Sequence, residues 1–211
     1  MDSDYLNRFE RALTLNMRTY NLELSTQVVS RLVEYFRMLS HWNARLHLVA
    51  PCEPEEFATR HILESLLLLH YLPNGSSLAD VGSGAGLPII PALLARQDLS
   101  ATLIESSQKK SVFLRESLNQ LGISQTAKII AQPFEEVIAP EVAFVTCRAL
   151  DQFLTKVSAL LIWAPDSSQL LLFGGGKLRE QLIKNGAEVE AFLIPNSDQR
   201  FLFRARKPIK A

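Results

Sequence analysis

The rhythm of apolar positions changes near residue 76. Before it, Leu6, Phe9 and Leu13, then Val28, Val29, Leu32, Val33, Phe36 and Leu39 recur every three to four residues, the interval of one buried helix face. Ser25 stands where the second run needs an N-cap. A third helix is predicted from Pro54 or Glu55 to Tyr71, closed by the breaker Pro73-Asn74-Gly75. Beyond 76, short apolar runs alternate with amphipathic stretches. Strands are predicted over 78–81, 101–105, 127–130, 142–146, 170–173, 189–194 and 201–206, with helices over 87–96, 109–121, 134–138, 151–163 and 177–185. Such βα repetition implies a parallel sheet covered on both faces. Only Pro195–Arg200 separates the last two strands. No crossover helix fits there, so they form an antiparallel hairpin. The expected organisation is a helical extension over 1–72 packed on an α/β core over 73–211, with no internal repeat.

Composition narrows the picture. A chain of 211 residues, 47% hydrophobic and 21% charged, buries a full core. Its longest apolar run is too short to span a bilayer, and its first residues are acidic, without the basic start of a secretory signal. Two cysteines, Cys52 and Cys147, are too few for a disulfide framework or a zinc cluster. A cytoplasmic monomer without a metal is expected. The 22 basic and 22 acidic residues balance, so composition does not point to nucleic acid. The exception is local: Arg200, Arg204, Arg206, Lys207 and Lys210 have no acidic neighbour among them. They read as a solvated terminal strand or, alternatively, as a phosphate-contacting edge.

The chemistry concentrates in Asp80-Val81-Gly82-Ser83-Gly84-Ala85-Gly86, set between a predicted strand and a predicted helix. Strand, glycine loop and helix bring an adenosine-containing cofactor against bare backbone. A dinucleotide fingerprint places its third glycine where this chain has Leu87. The GxGxG spacing is instead that of the S-adenosylmethionine loop, and with the terminal hairpin it predicts a class I (Rossmann-like) methyltransferase fold with a seven-stranded, mostly parallel sheet. Gly82, Gly84 and Gly86 let ribose and methionine approach and permit φ > 0. Asp80 pairs with the cofactor's amino group or organises a water. Glu105, closing the next strand, accepts both ribose hydroxyls. Ser83 and Leu87 complete the loop, and Phe134 and Glu135 flank the adenine. Pro88 and Pro91 fall in the first helical turn, where a missing N–H costs nothing.

Ligands gather between the first and fourth strands of such sheets. The fourth ends Val145-Thr146-Cys147-Arg148-Ala149-Leu150. It lacks the Asn/Asp-Pro-Pro-aromatic turn of amino-group methyltransferases, which disfavours exocyclic amines. Cys147 reads as a small buried thiol rather than a covalent nucleophile. Arg148, a cation at the mouth of the site, is the residue expected to serve catalysis and to bind the acceptor; a structural salt bridge is the alternative. Lys109 and Lys110 open a helix and either are solvated or touch phosphates.

Arg60-His61-Ile62-Leu63-Glu64-Ser65, Asp80–Pro88, Glu105, Phe113-Leu114-Arg115 and Cys147-Arg148-Ala149 together resemble the bacterial RsmG family, also called glucose-inhibited division protein B. The resemblance runs from Trp42-Asn43 to Arg206. It implies S-adenosyl-L-methionine as methyl donor and N7 of one guanine in 16S ribosomal RNA, naked or in the small ribosomal subunit, as acceptor. It also implies a site role for His61. Guanine N7 carries an in-plane lone pair and no proton, so its methylation needs no general base. The chain departs from the family pattern at Pro133, where an arginine is usual, at Cys147 and His47, and at Lys177, which is displaced by the glycines before it. These departures thin the acceptor half. They leave two rival readings, a non-catalytic cofactor-binding ribosome-assembly factor and a methyltransferase with a small-molecule acceptor.

Overall fold

A computed structural model describes residues 3–148 and 153–207. Seven strands form one sheet in the order β3-β2-β1-β4-β5-β7-β6: β1 (Ser77–Val81), β2 (Ser100–Ile104), β3 (Ala127–Ile130), β4 (Phe144–Arg148), β5 (Gln169–Gly174), β6 (Glu188–Leu193) and β7 (Phe201–Arg206). The first five are mutually parallel. β7 inserts antiparallel between β5 and β6, completing the expected hairpin.

Period-two alternation divides each central strand between two cores. Leu78, Leu103, Phe144 and Leu171 face one cluster; Ala79, Val81, Val145, Cys147 and Leu172 face the other. The first cluster is capped by α1 (Ser3–Asn16), α2 (Thr26–Leu46), a composite helix α3 spanning 54–71, α4 (Ile89–Ala95) and α5 (Gln108–Gln120). The second is capped by α6 (Phe153–Trp163) and α7 (Gly176–Lys184). The N-terminal helices therefore share a core with the sheet. Phe9 stacks on Phe36 at 4.3 Å, and Phe36 meets Phe57 at 4.8 Å. Cutting Phe9 to Ala would cost about 3–5 kcal/mol.

Local chemistry sets the element ends. Ser25 caps α2, its Oγ accepting the Val28 N–H. The helix predicted from 87 begins at Ile89 with Pro88 as its N-cap residue, because residues 84–88 turn before the helix starts. A single 3-10 turn, Phe134–Glu136, replaces the helix predicted over 134–138. α3 is continuous but irregular: α-helical over Pro54–Glu56, a wide π turn over Phe57–Leu63, α-helical again, then 3-10 over Leu67–Tyr71. π turns concentrate at functional sites, and this one lies beside Arg148. β4 is displaced by two residues from its predicted span. The Ala143 N–H is spent on Ser77 at the β1 edge, and ladder pairing starts at Phe144 opposite Leu78. Cys147 and Arg148 are thus the last two strand residues, one on each face. Ala149, Leu150, the predicted helix start at 151 and Lys210 lie outside the described residues.

Candidate active site

The loop after β1 is shaped by its glycines. Gly82, Gly84 and Gly86 have φ of 70°, 52° and 83°, a region that L side chains rarely adopt. At Gly86 a Cβ would also stand 2.4 Å from Ile90 Cδ1. The Gly82 and Ser83 N–H groups donate to the Ile104 carbonyl, and the Gly86 N–H donates to Ser83, which folds the loop across the β1 and β2 ends. Glu105, buried at 5% exposure, accepts the Gly84 N–H on Oε2 and the Ser107 N–H on Oε1, both at 2.8 Å. Its carboxylate therefore ties the glycine loop to the start of α5. A carboxylate offers about four acceptor positions, so two remain for hydroxyl groups.

Over this loop opens a cavity of about 540 Å³, lined by Gly82, Ser83, Gly84, Leu87, Glu105 and His61, and also by Leu48–Ala50, Lys110, Lys156 and Arg148. Its size suits a nucleoside-sized ligand. Asp80 lies beneath it, fully buried; Oδ1 accepts the Thr146 hydroxyl at 2.7 Å while Oδ2 has no protein partner. Burial, aided by the nearby Glu105 charge, pushes its carboxyl up to about 7. A buried acceptor without a donor, a glycine cradle and a second carboxylate with spare lone pairs fit S-adenosylmethionine, a cationic ligand bearing hydroxyl and amino donors.

Other predicted site residues fall differently. Phe134 is buried with its ring edge-on to Trp163 at 5.7 Å, and Glu135 pairs with Lys156 at 2.8 Å. Neither lines the cavity, because the tight turn after β3 directs the ring into the core beneath α6. Lys156 takes their place on the wall. Lys109 is exposed and does not line the cavity, whereas Lys110 does. Leu48–Ala50, Ser106 and Lys156 are lining residues outside the predicted site set, and Lys110 is one that the sequence reads only as solvated or phosphate-touching. The resemblance marks Trp42-Asn43 and His47, just before the 48–50 segment.

Arg148 leaves β4 on the face toward α3. Its Nη2 donates to the Arg60 carbonyl at 2.5 Å and to Glu64 Oε2 at 3.3 Å; Nη1 donates to Ser65 Oγ at 3.0 Å and approaches the His61 carbonyl at 3.5 Å. The guanidinium also lies 5.4 Å from the Phe173 ring centroid. Glu64, only 2% exposed, is shared with Arg200, whose Nη2 is 2.9 Å from Oε1. Burial raises the Glu64 carboxyl, and the two arginines oppose that rise. Burial and the Arg148 charge bring His61 down to about 4, so its imidazole is neutral near pH 7. The rest of the basic C-terminal run is mostly paired. Arg204 bonds Glu190, and Lys207 bonds Asp166 and the Ala164 carbonyl. These contacts favour the reading of that strand as structural over a phosphate-contacting edge. Cys147 is fully buried in the second core.

On the far side of Arg148 a second cavity, about 820 Å³, lies over the β4 and β5 ends. It is lined by Phe153, Phe173 and Phe201, by Gly174–Gly176, by the cations Lys177 and Arg200, and by the carboxylates of Glu64, Glu180 and Asp198. Arg148 is common to both cavities.

A family model described as "rRNA small subunit methyltransferase G" (GidB) matches residues 28–197. The chain belongs to this family. Among relatives of the methyltransferase G family, the Ribosomal RNA small subunit methyltransferase G of Methylobacillus flagellatus is 33% identical over 199 residues, covering 92% of this chain and 96% of its own. That of Halorhodospira halophila is 34% identical over 171 residues, covering 81% and 80%. Solved structures extend the likeness at the level of fold. Mitomycin 7-O-methyltransferase MmcR has a TM-score of 0.60 at 16% identity, covering 94% of this chain and 67% of its own. A ribosomal protein L11 methylase from Lactobacillus delbrueckii subsp. bulgaricus has a TM-score of 0.58 at 16% identity, covering 70% and 79%. The chain thus has the class I methyltransferase fold. Among its described residues, no helix is long and apolar enough to cross a membrane.

Proposed function

We propose that this chain transfers a methyl group from S-adenosyl-L-methionine to N7 of a guanine in 16S ribosomal RNA. The cofactor occupies the glycine-loop cavity, and the guanine enters the aromatic cavity beyond Arg148. One observation carries the reading: among the described residues the two cavities share Arg148, at the end of β4 beside the switch point between β1 and β4. Family membership and the relatives' names support the ribosomal RNA acceptor.

Gly82, Gly84 and Glu105 hold the ribose side, with Asp80 answering a donor from below. When bound, S-adenosylmethionine supplies a methyl group on a sulfonium centre, already activated for displacement. What the protein adds is alignment and exclusion of water, the contributions that dominate when two reactants are held in line. Both Nη groups of Arg148 are engaged by α3, so it acts as a fixed positive wall rather than a mobile clamp. A bidentate grip on O6 and N7 would occupy the nucleophile; a fixed arginine avoids that. Phe153 and Phe201 offer stacking faces for a base, and Lys177 offers a charge to its phosphate.

The test is transfer of labelled methyl from the cofactor to small-subunit RNA and to assembled small subunits, followed by digestion to nucleosides. Label in 7-methylguanosine is expected. Label in a different nucleoside, or in metabolites alone, overturns the acceptor. Intact binding of S-adenosylhomocysteine with no label anywhere makes the chain a cofactor-binding assembly factor instead.

A further inference from the structure

The cofactor cavity has a wall that does not come from the α/β core. Leu48, Val49 and Ala50 line it, facing the glycine loop. These residues follow α2, and Asn43 near the end of α2 holds them. Its Nδ2 donates to the Val49 carbonyl at 3.1 Å, while its Oδ1 accepts the Val49 N–H at 2.9 Å. The segment is thereby clipped back onto the helix that precedes it.

The same helix reaches the opposite wall. Tyr35 is fully buried, and its hydroxyl donates to the carbonyl of Ala85, between Gly84 and Gly86, at 2.6 Å. Tyr35 and Asn43 are eight residues apart, about 12 Å along a helix axis. α2 itself is pinned. Arg31 Nη2 donates to the Leu121 carbonyl at 2.8 Å and Nη1 reaches the Leu94 carbonyl at 3.5 Å, at the ends of α5 and α4. Trp42 packs edge-on to Phe113 of α5 at 5.9 Å. A rigid helix tied to both walls fixes the distance between them.

We infer that α2 is the gauge of the cofactor cavity, with Tyr35 and Asn43 as positioning residues that hold the glycine loop and the 48–50 segment at the spacing the cofactor needs. The inference rests on the cofactor reading above but not on the identity of the acceptor. Neither residue touches the ligand; each acts through the backbone it bonds. Tyr35→Phe keeps the ring and removes one bond, leaving the Ala85 carbonyl without a donor. Asn43→Ala removes both bonds to Val49, and Asn43→Asp keeps the acceptor for the Val49 N–H.

Calorimetry with S-adenosylhomocysteine on the full chain tests this, together with amide hydrogen exchange and steady-state kinetics. Tyr35→Phe and Asn43→Ala are each expected to raise Kd about tenfold. KM for S-adenosylmethionine rises in parallel, while kcat at saturating cofactor and KM for RNA stay within about twofold. Exchange quickens at 82–86 in the first variant and at 47–50 in the second, and Asn43→Asp recovers part of the affinity. A merely structural role would lower Tm while Kd stayed within twofold in both folded variants, and that result overturns the inference. Should Tyr35→Phe not fold, the two Asn43 variants decide, since that side chain is only half-buried. If the unaltered protein binds no S-adenosylhomocysteine, the cofactor reading falls, and this inference with it. Binding without RNA methylation removes the acceptor reading alone.

Discussion

The cavities on either side of Arg148 are built from different materials. The glycine-loop cavity is shaped by hydrogen-bonded backbone: a loop with three positive-φ glycines, a carboxylate bonded to two peptide N–H groups, and a segment clipped by an asparagine. The aromatic cavity is mostly side chains, drawn from β4, β5, α6, α7 and the β6–β7 turn, with Glu64 between two arginines at its edge. Backbone geometry recognises a fixed shape and tolerates little change. Side chains on separate elements can be exchanged one at a time. Of the departures from the family pattern, Pro133, Cys147 and Lys177 lie away from the glycine loop, whereas His47 adjoins the 48–50 segment of its cavity.

The largest expected effect breaks the backbone side. Gly86→Ala puts a methyl group into Ile90 and forces an unfavourable φ; calorimetry with S-adenosylhomocysteine should show a loss on the order of 100-fold. Next comes the ion network of the side-chain cavity. Glu64→Gln leaves two arginines facing each other without their shared carboxylate, a loss of about 3 kcal/mol, or roughly 6–12 °C in Tm for a chain of this size. Methyl transfer to RNA should fall while S-adenosylhomocysteine affinity holds. If the affinity falls in step, the two cavities are not separable in the way described.

A third experiment uses pH. Asp80 has its folded-state pKa raised from 3.8 to about 7. The stability it contributes to the ligand-free protein is therefore full below about pH 4 and is lost as pH rises through 7. A ligand that donates hydrogen bonds to Asp80 is held better by the ionised carboxylate, so binding has the opposite sign. Affinity for S-adenosylhomocysteine should climb by up to about tenfold per pH unit below 7 and level off above it, with protons released on binding. Asp80→Asn should flatten both profiles; a pH-independent affinity in the unaltered protein would remove Asp80 from the cofactor site. The smallest effect separates neighbours. Lys110→Ala, on the cavity wall, should weaken cofactor binding by about threefold, while Lys109→Ala, exposed outside it, should leave it unchanged.

The loop and its strands were readable because their information is local. A glycine at positive φ or an apolar run ended by a breaker is written in consecutive residues, and all seven strands overlap their predicted spans. β4 was displaced by two residues because pairing to β1 decides where it starts, and pairing is not local. The same displacement placed Arg148 within a strand, facing α3, where its two Nη groups are engaged. Phe134 shows the limit from the other direction. The sequence predicts a helix over 134–138 where a single 3-10 turn forms, and the Phe134 ring packs against Trp163, 29 positions on in the sequence.

Sequence alone determined the class of fold, the terminal hairpin and the loop that suits an adenosine cofactor, since periodicity and glycine spacing are properties of neighbours along the chain. Only the tertiary structure decided that the N-terminal helices share the core and reach the cavity through Tyr35 and Asn43. It alone also decided that Glu64 stands between Arg148 and Arg200, and that one arginine divides two cavities. These are meetings of residues up to 136 positions apart, and they exist only once burial of the apolar faces has packed the elements together.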